Sequence, residues 1–212
     1  MIRAVFLDAL GTLVELEPPW ISLRRRIPAE VSDERLESAL RAEMAYYREH
    51  AQEGRDDASL ADLRERCAAI TSEQLGVEVT ATELVDAIRF DAYPDAVPAL
   101  RELRDRGEKL VVVSNWDCSL PQVLDRVGVG ELLDGVVTSA VAGARKPDPA
   151  IFRTALDLAG VGPDEALHVG DTPEEDVEGA RTAGIRSLLI DRDGNGGDIS
   201  SLREIREHLS DV

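Results

Sequence analysis

The stretch AVFLDALGTL at residues 4–13 decides the fold of this chain and places its first chemical group. Its apolar run predicts a buried strand that ends at Asp8, and Gly11-Thr12 predicts a turn directly after it. A carboxylate at the end of a buried strand is well placed to act as a nucleophile or as a metal ligand. Position 10, two residues after Asp8, holds Leu10, whose side chain can neither donate nor accept a proton.

Four further apolar runs predict that this strand belongs to a parallel sheet. They are KLVVVSN at 109–115, GVVTS at 135–139, ALHVGD at 166–171 and SLLID at 187–191. Such β-branched runs with little polar alternation are typical of strands buried on both faces. Amphipathic helical patterns cover residues 95–107, 119–128, 148–160 and 173–184. We therefore predict an α/β fold whose core is a Rossmann-like, doubly wound parallel sheet.

Between the first two strands the alternation of strands and helices breaks. Residues 16–94 contain no convincing strand pattern, and amphipathic helices begin near Ser32, Asp57 and Thr82. An insert of this size after the first strand predicts a helical cap over the site. The predicted domains are therefore a core of residues 1–15 plus 95–212 and an α-helical cap of residues 16–94.

Composition narrows the classes of partner. With 24 Lys and Arg against 42 Asp and Glu, the chain carries a formal net charge of −18. This charge argues against nucleic acid or an anionic membrane surface as partner. No apolar run is long enough to span a bilayer, and the N-terminus lacks a signal-peptide layout, so we expect a cytoplasmic protein. The sequence fixes no oligomeric state.

Polar side chains follow the other predicted strands of the core. Ser114 and Asn115 end the second run, Asp171 ends the fourth, and Asp176 lies five residues beyond it. Lys146 precedes the helix that leads into the fourth strand. Ligands of open α/β sheets bind outside the carboxyl ends of the strands, so we expect these side chains to meet Asp8.

These residue types suit phosphoryl chemistry. Asp8 and Asp171 can offer hard oxygens to Mg²⁺, and the backbone carbonyl of Leu10 can add a further ligand whatever its side chain. The Ser114 hydroxyl can hold phosphate oxygens. The Lys146 ammonium can neutralise the charge of a carboxylate and a phosphate that would otherwise repel each other.

Four segments together resemble the motifs of the haloacid dehalogenase superfamily, in the same order. They are FLDALGTL, VVVSN, RKPDP and HVGDTPEED, with the cap inserted after the first. The resemblance implies catalytic roles for Asp8, as nucleophile, and for Lys146, which steadies the charge. It implies substrate binding by Ser114 and Asn115, and a Mg²⁺ site formed by Asp8, the Leu10 carbonyl, Asp171 and Asp176.

The first motif departs from the DxDGT pattern of the phosphatases in this family. In that pattern the second Asp protonates the leaving alcohol and then activates water, and Leu10 can do neither. Such acid–base help is typically worth ~10²–10⁴ in rate. We expect a Mg²⁺-dependent, phosphatase-type hydrolase that acts on a small phosphorylated or otherwise anionic substrate through an aspartyl intermediate, and that is slow or specialised.

Other branches of the family and a non-enzymatic role stay as alternatives. Phosphonate-cleaving members use a cap lysine, and residues 14–108 contain none, which excludes that branch. The 2-haloacid dehalogenases have a similar first motif and need no proton donor, but they are metal-free, and Asp171 with Asp176 counts against them. A catalytically weak phosphate-binding or regulatory protein is the third alternative.

Two further features have two interpretations each. Trp20 and the Arg24–Arg26 cluster either line the pocket and bind an anionic substrate, or form a solvated basic edge with a packed tryptophan. His168 lies within a predicted strand, and we interpret it as a core residue rather than a base.

Overall fold

The computed structural model describes residues 1–209, whose strands and helices alternate over most of the chain. The strands are β1 (Ala4–Leu7), β2 (Val14–Leu16), β3 (Phe90–Ala92), β4 (Lys109–Ser114), β5 (Gly135–Thr138), β6 (Ala166–Gly170) and β7 (Arg186–Leu189). The helices are α1 (Pro19–Leu23), α2 (Asp33–His50), α3 (Asp57–Leu75), α4 (Ala81–Ala87), α5 (Ala96–Arg106), α6 (Leu120–Arg126), α7 (Ser139–Ala142), α8 (Pro149–Ala159) and α9 (Gly179–Thr182). A π-helical turn, Pro173–Glu178, precedes α9, and a 3₁₀ segment, Leu202–His208, follows β7.

Five parallel strands form the main sheet in the order β5-β4-β1-β6-β7. All five strands predicted from the sequence are present, and each ends within two residues of its predicted bounds. Side chains alternate across the sheet, because successive residues of a strand point to opposite faces. Val5 and Leu7 join a core cluster with residues of α5 and α6, whereas Ala4 and Phe6 join another with residues of α8 and α9. Helices on both faces confirm the predicted doubly wound α/β core.

Residues 16–94, which we call the insert, contain α1 to α4 and a hydrophobic cluster of their own. The Ser32 hydroxyl accepts from the Arg35 amide at 3.2 Å and so caps α2, and Asp56 caps α3 in the same way. The buried face of α2 packs on α3, and Leu36, Leu40 and Leu63 are among the buried residues of the cluster. No helix within residues 1–209 combines the length and the apolarity needed to cross a membrane.

A two-stranded antiparallel sheet joins the insert to the core, and here the expectation that residues 16–94 hold no strand is wrong. β2 pairs with β3 in the register Val14↔Ala92 to Leu16↔Phe90, and the Tyr93 amide donates to the Leu13 carbonyl at 3.0 Å. A three-residue strand is too short to show a period-2 pattern, and backbone hydrogen bonds between distant segments fix this one. Both connections to the insert therefore run side by side.

Candidate active site

The carboxyl ends of three neighbouring strands bring the predicted side chains together. Asp8 follows β1, Ser114 ends β4, and Asp171 follows β6. Because β1 lies between β4 and β6 in register, with Leu7 opposite both Val112 and Val169, these three ends lie at one edge of the sheet. The Asp8 amide donates to the Val169 carbonyl at 2.9 Å, which extends the pairing to the first residue of the site.

Asp8 is buried, and one of its carboxylate oxygens is held by two donors. Its Oδ1 accepts from the Ser114 hydroxyl at 2.8 Å and from the Lys146 ammonium at 2.6 Å. Burial raises the pKa of Asp8, and the positive charge of Lys146 opposes that rise. Within residues 1–209 its Oδ2 accepts no hydrogen bond, so this oxygen is free to react or to bind a ligand.

Lys146 lies between two carboxylates. Its side chain is almost completely buried, and its Nζ donates to Asp8 Oδ1 and to Asp176 Oδ1, each at 2.6 Å. Burial alone lowers the pKa of a lysine, but the two carboxylates outweigh this effect and hold the pKa of Lys146 above its usual range. The ammonium therefore stays charged and lets two carboxylates share one small space.

Asn115 fixes the backbone that carries Lys146. Its Oδ1 accepts from the Lys146 amide at 2.8 Å, and its Nδ2 donates to the Lys146 carbonyl at 3.1 Å and to Glu175 Oε2 at 2.8 Å. The side chain lies on the cavity wall, as expected of a substrate ligand. Its amide is nevertheless committed to protein groups, which favours a role in positioning Lys146 over direct contact with substrate.

Asp176 and His168 form a buried support behind Lys146. Asp176 Oδ1 lies 2.9 Å from His168 Nε2, and its Oδ2 accepts from the Thr172 amide at 3.0 Å. Although burial opposes it, Lys146 and then His168 hold the pKa of Asp176 well below its usual range. His168 is fully buried, as expected of a core residue, but sequence reasoning missed its bond to Asp176. The bond depends on the π-helical turn Pro173–Glu178, which no local sequence pattern signals.

The segment predicted as one helix at 173–184 begins instead as a π-helical turn, Pro173–Glu178. A π turn carries an extra residue and often marks a functional site. Here the turn directs Asp176 inward, where it contacts Lys146 and His168. A regular surface helix would leave Asp176 without these partners.

Three carboxylates at the strand ends could hold a cation. Ligand oxygens of Asp8, Asp171 and Asp176 all lie within 4.8 Å of one another. One ammonium does not balance three carboxylates, and burial together with the charges of Asp8 and Asp176 raises the pKa of Asp171 to about 6. Hard oxygen donors with excess negative charge suit a divalent cation such as Mg²⁺. The donor set thus fits the ion that the sequence implies.

Gly11 makes room for Asp171. Its φ is +83°, and a Cβ built there would lie 2.1 Å from Asp171 Oδ2. Leu10 precedes it, half-buried on the cavity wall, where its side chain packs against the core cluster. The side chain at position 10 therefore offers neither a proton donor nor a proton acceptor.

The site opens into a cavity of about 470 Å³ between the strand ends and the insert. Much of the wall is apolar and comes from the turn after β1, the insert, the two-stranded sheet of β2 and β3, the loop after β4, and α6. This apolar part consists of Leu10, Leu16, Pro19, Leu40, Met44, Leu84, Val85, Ile88, Phe90, Trp116 and Val123. Such a wall suits a ligand with an apolar organic part attached to the group that reacts with Asp8.

The insert contacts the core loop after β4 directly. The Tyr47 hydroxyl on α2 donates to Asp117 Oδ2 at 2.7 Å, and the Cys118 amide donates to the Gly54 carbonyl at 2.8 Å. Asp117 is buried, and its Oδ1 accepts from the Ser119 amide at 2.7 Å. These bonds hold the insert over the cavity.

Trp20 and the arginine cluster lie away from this cavity, whose wall includes none of them. Arg24 donates to the Val31 and Pro28 carbonyls, each at 2.6 Å, and Arg26 pairs with Asp86 at 3.2 Å. Trp20 packs against the cluster of the insert. The structure favours the second interpretation, a basic edge with a packed tryptophan.

A doubly wound parallel sheet carries a buried Asp, a buried lysine and a cluster of carboxylates at one edge, an arrangement that suits a hydrolase with a Rossmann-like core. The sequence matches the model of the haloacid dehalogenase-like hydrolase family over residues 2–184, and the chain belongs to that family.

The proteins similar to this chain include both phosphatases and haloacid dehalogenases. A phosphoserine phosphatase from Thermus thermophilus is 39% identical over 137 residues, which is 61% of this chain and 55% of that protein. A HAD phosphatase from Thermococcus onnurineus superposes with a TM-score of 0.70 and 27% identity, covering 99% of this chain and 98% of that one. L-2-haloacid dehalogenase from Xanthobacter autotrophicus superposes with a TM-score of 0.73 over 98% of both chains, but 24% identity shows the fold alone. Curated relatives align with this chain over 36% to 55% of their own length.

Proposed function

We propose that this protein is a Mg²⁺-dependent phosphoryl-transfer hydrolase that acts on a small phosphorylated substrate through a phosphorylated Asp8. The observation that carries the proposal is Asp8 itself, whose Oδ1 is bound by Ser114 and Lys146 while its Oδ2 is free. The phosphoserine phosphatase among the relatives supports phosphate as the group transferred.

The chain's own residues prepare Asp8 for attack. A protonated carboxyl is a poor nucleophile, and burial favours the protonated form, so the charge of Lys146 is needed to keep Asp8 ionised. The two donors at Oδ1 also fix the orientation of the carboxylate. Oδ2 can then attack phosphorus, the bond to the leaving oxygen breaks, and water later releases phosphate from Asp8.

Asp8, Asp171 and the Leu10 carbonyl would hold Mg²⁺, with Asp176 behind them. When bound, the ion supplies positive charge that stabilises the phosphate oxygens. Asp176 reaches the site through Lys146 and His168, so we assign it mainly to holding the lysine.

The insert completes the site as a cap, with residues 16–94 as its proposed bounds. The bonds from Tyr47 to Asp117 and from Cys118 to Gly54 keep it closed over the cavity. A closed cap excludes water from the reacting atoms, which strengthens the electrostatic effect of Lys146.

Two observations keep a second candidate, a metal-independent 2-haloacid dehalogenase. Leu10 supplies no acid, and halide needs none on leaving, while the cavity wall is apolar as a haloalkyl group requires. The acidic cluster argues against it, because a carboxylate substrate would meet Asp171 and Asp176 with no cation between them. A phosphate-binding or regulatory protein without turnover would need the same pocket.

One labelling experiment separates these candidates. The protein is incubated with radiolabelled acetyl phosphate and Mg²⁺, with Asp8→Asn as the matched control. We expect phosphate on Asp8 of the wild type alone, and slow release into solution. Absence of both label and Mg²⁺ binding would contradict phosphoryl transfer, and metal-free halide release from 2-chloropropionate would establish the dehalogenase. Binding of inorganic phosphate without labelling would establish the binding protein.

A further inference from the structure

The part of the cavity wall that the insert forms contains a buried carboxyl group, which makes no ion pair within residues 1–209. Glu43 lies on the inner face of α2, with 4% of its surface exposed, and it lines the same cavity as Asp8 and Leu10. Its neighbours on that helix face include Leu36, Ala39 and Leu40, which are buried and apolar. Glutamate is almost never fully buried unless it is paired, so this position needs an explanation.

Within residues 1–209 Glu43 forms no ion pair, and the group that most favours its charged form is the Cys67 thiol of α3. Burial raises the pKa of Glu43, and the thiol offsets only part of that effect. A carboxyl in such surroundings keeps its proton more readily than an exposed one. Glu43 thus places a carboxyl group on the wall of a cavity whose first motif lacks an acidic side chain at position 10.

Several other hydroxyl and ammonium donors on the cavity wall are already engaged in hydrogen bonds or ion pairs. The Tyr47 hydroxyl donates to Asp117, and the Ser114 hydroxyl donates to Asp8. Lys146 donates to two carboxylates that hold its proton firmly. The guanidinium groups on the wall do not release protons in proteins. They belong to Arg48, Arg64, Arg126 and Arg145.

We propose that Glu43 is the acid–base residue of this site and supplies the proton that Leu10 cannot. This proposal rests on phosphoryl transfer through Asp8. As Asp8 Oδ2 bonds to phosphorus and the ester P–O bond breaks, the carboxyl proton of Glu43 moves to the leaving oxygen. This step yields an alcohol, phosphoryl-Asp8 and the Glu43 carboxylate.

The second half of the reaction restores the site. Water attacks phosphorus, the Glu43 carboxylate takes its proton, and the bond from phosphorus to Asp8 breaks. Inorganic phosphate leaves, and both side chains return to their starting states. Water is the only reactant added, so atoms and charges balance.

The insert must therefore lie over the strand ends for the proton transfer to occur, and not only to exclude water. Asp8 belongs to the core and Glu43 to the insert, so the nucleophile and the acid meet only when α2 covers the strand ends. The bond between Tyr47 and Asp117 lies on the same helix as Glu43, one turn further on. It is placed to hold the acid in position.

The test is a leaving-group series measured on the wild type and on Glu43→Gln, a variant of the same shape without the proton. The substrates are acetyl phosphate, p-nitrophenyl phosphate, phenyl phosphate and an alkyl phosphate. We expect a loss in kcat/KM of ~10²–10⁴ for the alkyl phosphate, shrinking steadily as the leaving group improves. We also expect phosphoryl-Asp8 to accumulate, because its hydrolysis loses the base.

Two further variants serve as controls. Glu49→Gln removes an exposed glutamate from the same helix and should leave the series as in the wild type. Adding Leu10→Asp to Glu43→Gln should restore activity on the alkyl phosphate.

An equal loss for all leaving groups, or no loss for any, would overturn the role of Glu43, as would a wild type that already discriminates as strongly as the variant. If Glu43→Gln does not fold, Glu43→Met, which also carries no acidic proton, replaces it, and the same dependence on leaving group decides. Absence of both Asp8 labelling by acetyl phosphate and Mg²⁺ binding in the wild type would instead refute phosphoryl transfer itself.

Discussion

At the scale of single residues, Gly11 is as important to the acidic cluster as the carboxylates are. Its φ of +83° favours glycine, and the absent Cβ leaves the space that Asp171 Oδ2 occupies. An alanine would add two separate effects, backbone strain and displacement of Asp171. These effects can be separated, because Gly107 has a φ of +95° and nothing within 4 Å of a built Cβ.

We predict that Gly107→Ala lowers the free energy of unfolding by about 1–2 kcal/mol, the usual cost of a left-handed alanine, and that Gly11→Ala lowers it by more, because its Cβ also displaces Asp171. Only Gly11→Ala should also weaken Mg²⁺ binding and the labelling of Asp8, because it moves Asp171. Denaturant titration gives the stabilities, and isothermal titration gives the Mg²⁺ affinity. Unaltered Mg²⁺ affinity in Gly11→Ala would show that Asp171 is not a ligand.

Glu43 makes a second prediction, on stability and pH. Burial raises its pKa in the folded protein. Between the unfolded and folded pKa values, the folded protein therefore keeps a proton that the unfolded chain has lost. The stability contributed by this group is therefore present at low pH and is lost as pH rises from the unfolded pKa through the folded pKa. Other titratable groups lie near Glu43. They are Cys67 and Tyr47 in the insert, whose own pKa values are raised by burial, and Asp117 in the loop after β4.

We predict that Glu43→Gln, which cannot ionise, gains stability relative to the wild type as pH rises from 4 to 8. Urea titrations of both proteins at each pH, in EDTA, measure the difference. Glu49→Gln, whose residue is exposed, should show no such trend. A constant difference across this pH range would mean that Glu43 ionises as readily in the folded protein as in the unfolded one.

At the scale of elements, one hydrogen bond joins α2 of the insert to the loop after β4. The Tyr47 hydroxyl donates to Asp117 Oδ2 at 2.7 Å, and Asp117 is 3% exposed. Removing the hydroxyl leaves a buried carboxylate oxygen without a partner, which typically costs ~1–3 kcal/mol. Because the bond spans two elements, its loss also frees the insert to open.

We predict that Tyr47→Phe lowers the free energy of unfolding by about 1–3 kcal/mol and speeds amide exchange at the ends of α2 and the segment after it. Tyr46→Phe is the matched control. The Tyr46 hydroxyl accepts from Arg66 within the insert, so its loss should be smaller and should not increase exchange near Asp117. Equal effects of the two variants would refute a specific contact between insert and core.

At the scale of the whole molecule, the sequence predicts the core well because buried parallel strands have a strong local pattern. The apolar runs that hold Val5, Val111 and Val169 each signal a strand by themselves, and their carboxyl ends hold the reactive groups. The pairing of β2 with β3 has no such signal, since three residues on each side are fixed by contact with a segment more than seventy positions away.

The residues of the site also divide into those that the sequence predicts and those that only the structure reveals. Asp8, Ser114 and Asp171 are predictable, because each follows a recognisable strand. The role of Asn115 depends on the backbone of Lys146, which no local pattern reveals. Glu43 escapes sequence analysis altogether, because an isolated glutamate on an amphipathic helix reads as a solvated residue until the structure shows it buried.

The net charge of −18 is a property of the whole chain, and it makes stability depend on salt in a way that must be separated from the metal site. Like charges about 10 Å apart in water repel by roughly 0.4 kcal/mol per pair, and 0.1 M salt screens most of that energy. We expect NaCl to raise the melting temperature of the protein in EDTA. Exposed ion pairs such as Arg41–Glu37 lose little by the same screening.

We predict that MgCl₂, compared with NaCl at equal ionic strength and without EDTA, adds a further stabilisation that saturates with concentration. Binding to the folded state alone contributes about 2.7 kcal/mol at a hundredfold excess over Kd. Asp171→Asn should abolish this Mg²⁺-specific increment and keep the NaCl response, because it removes one ligand while the chain remains strongly acidic. If the increment survives in Asp171→Asn, Mg²⁺ acts on the acidic surface as a whole, and the cluster of Asp8, Asp171 and Asp176 is not its site.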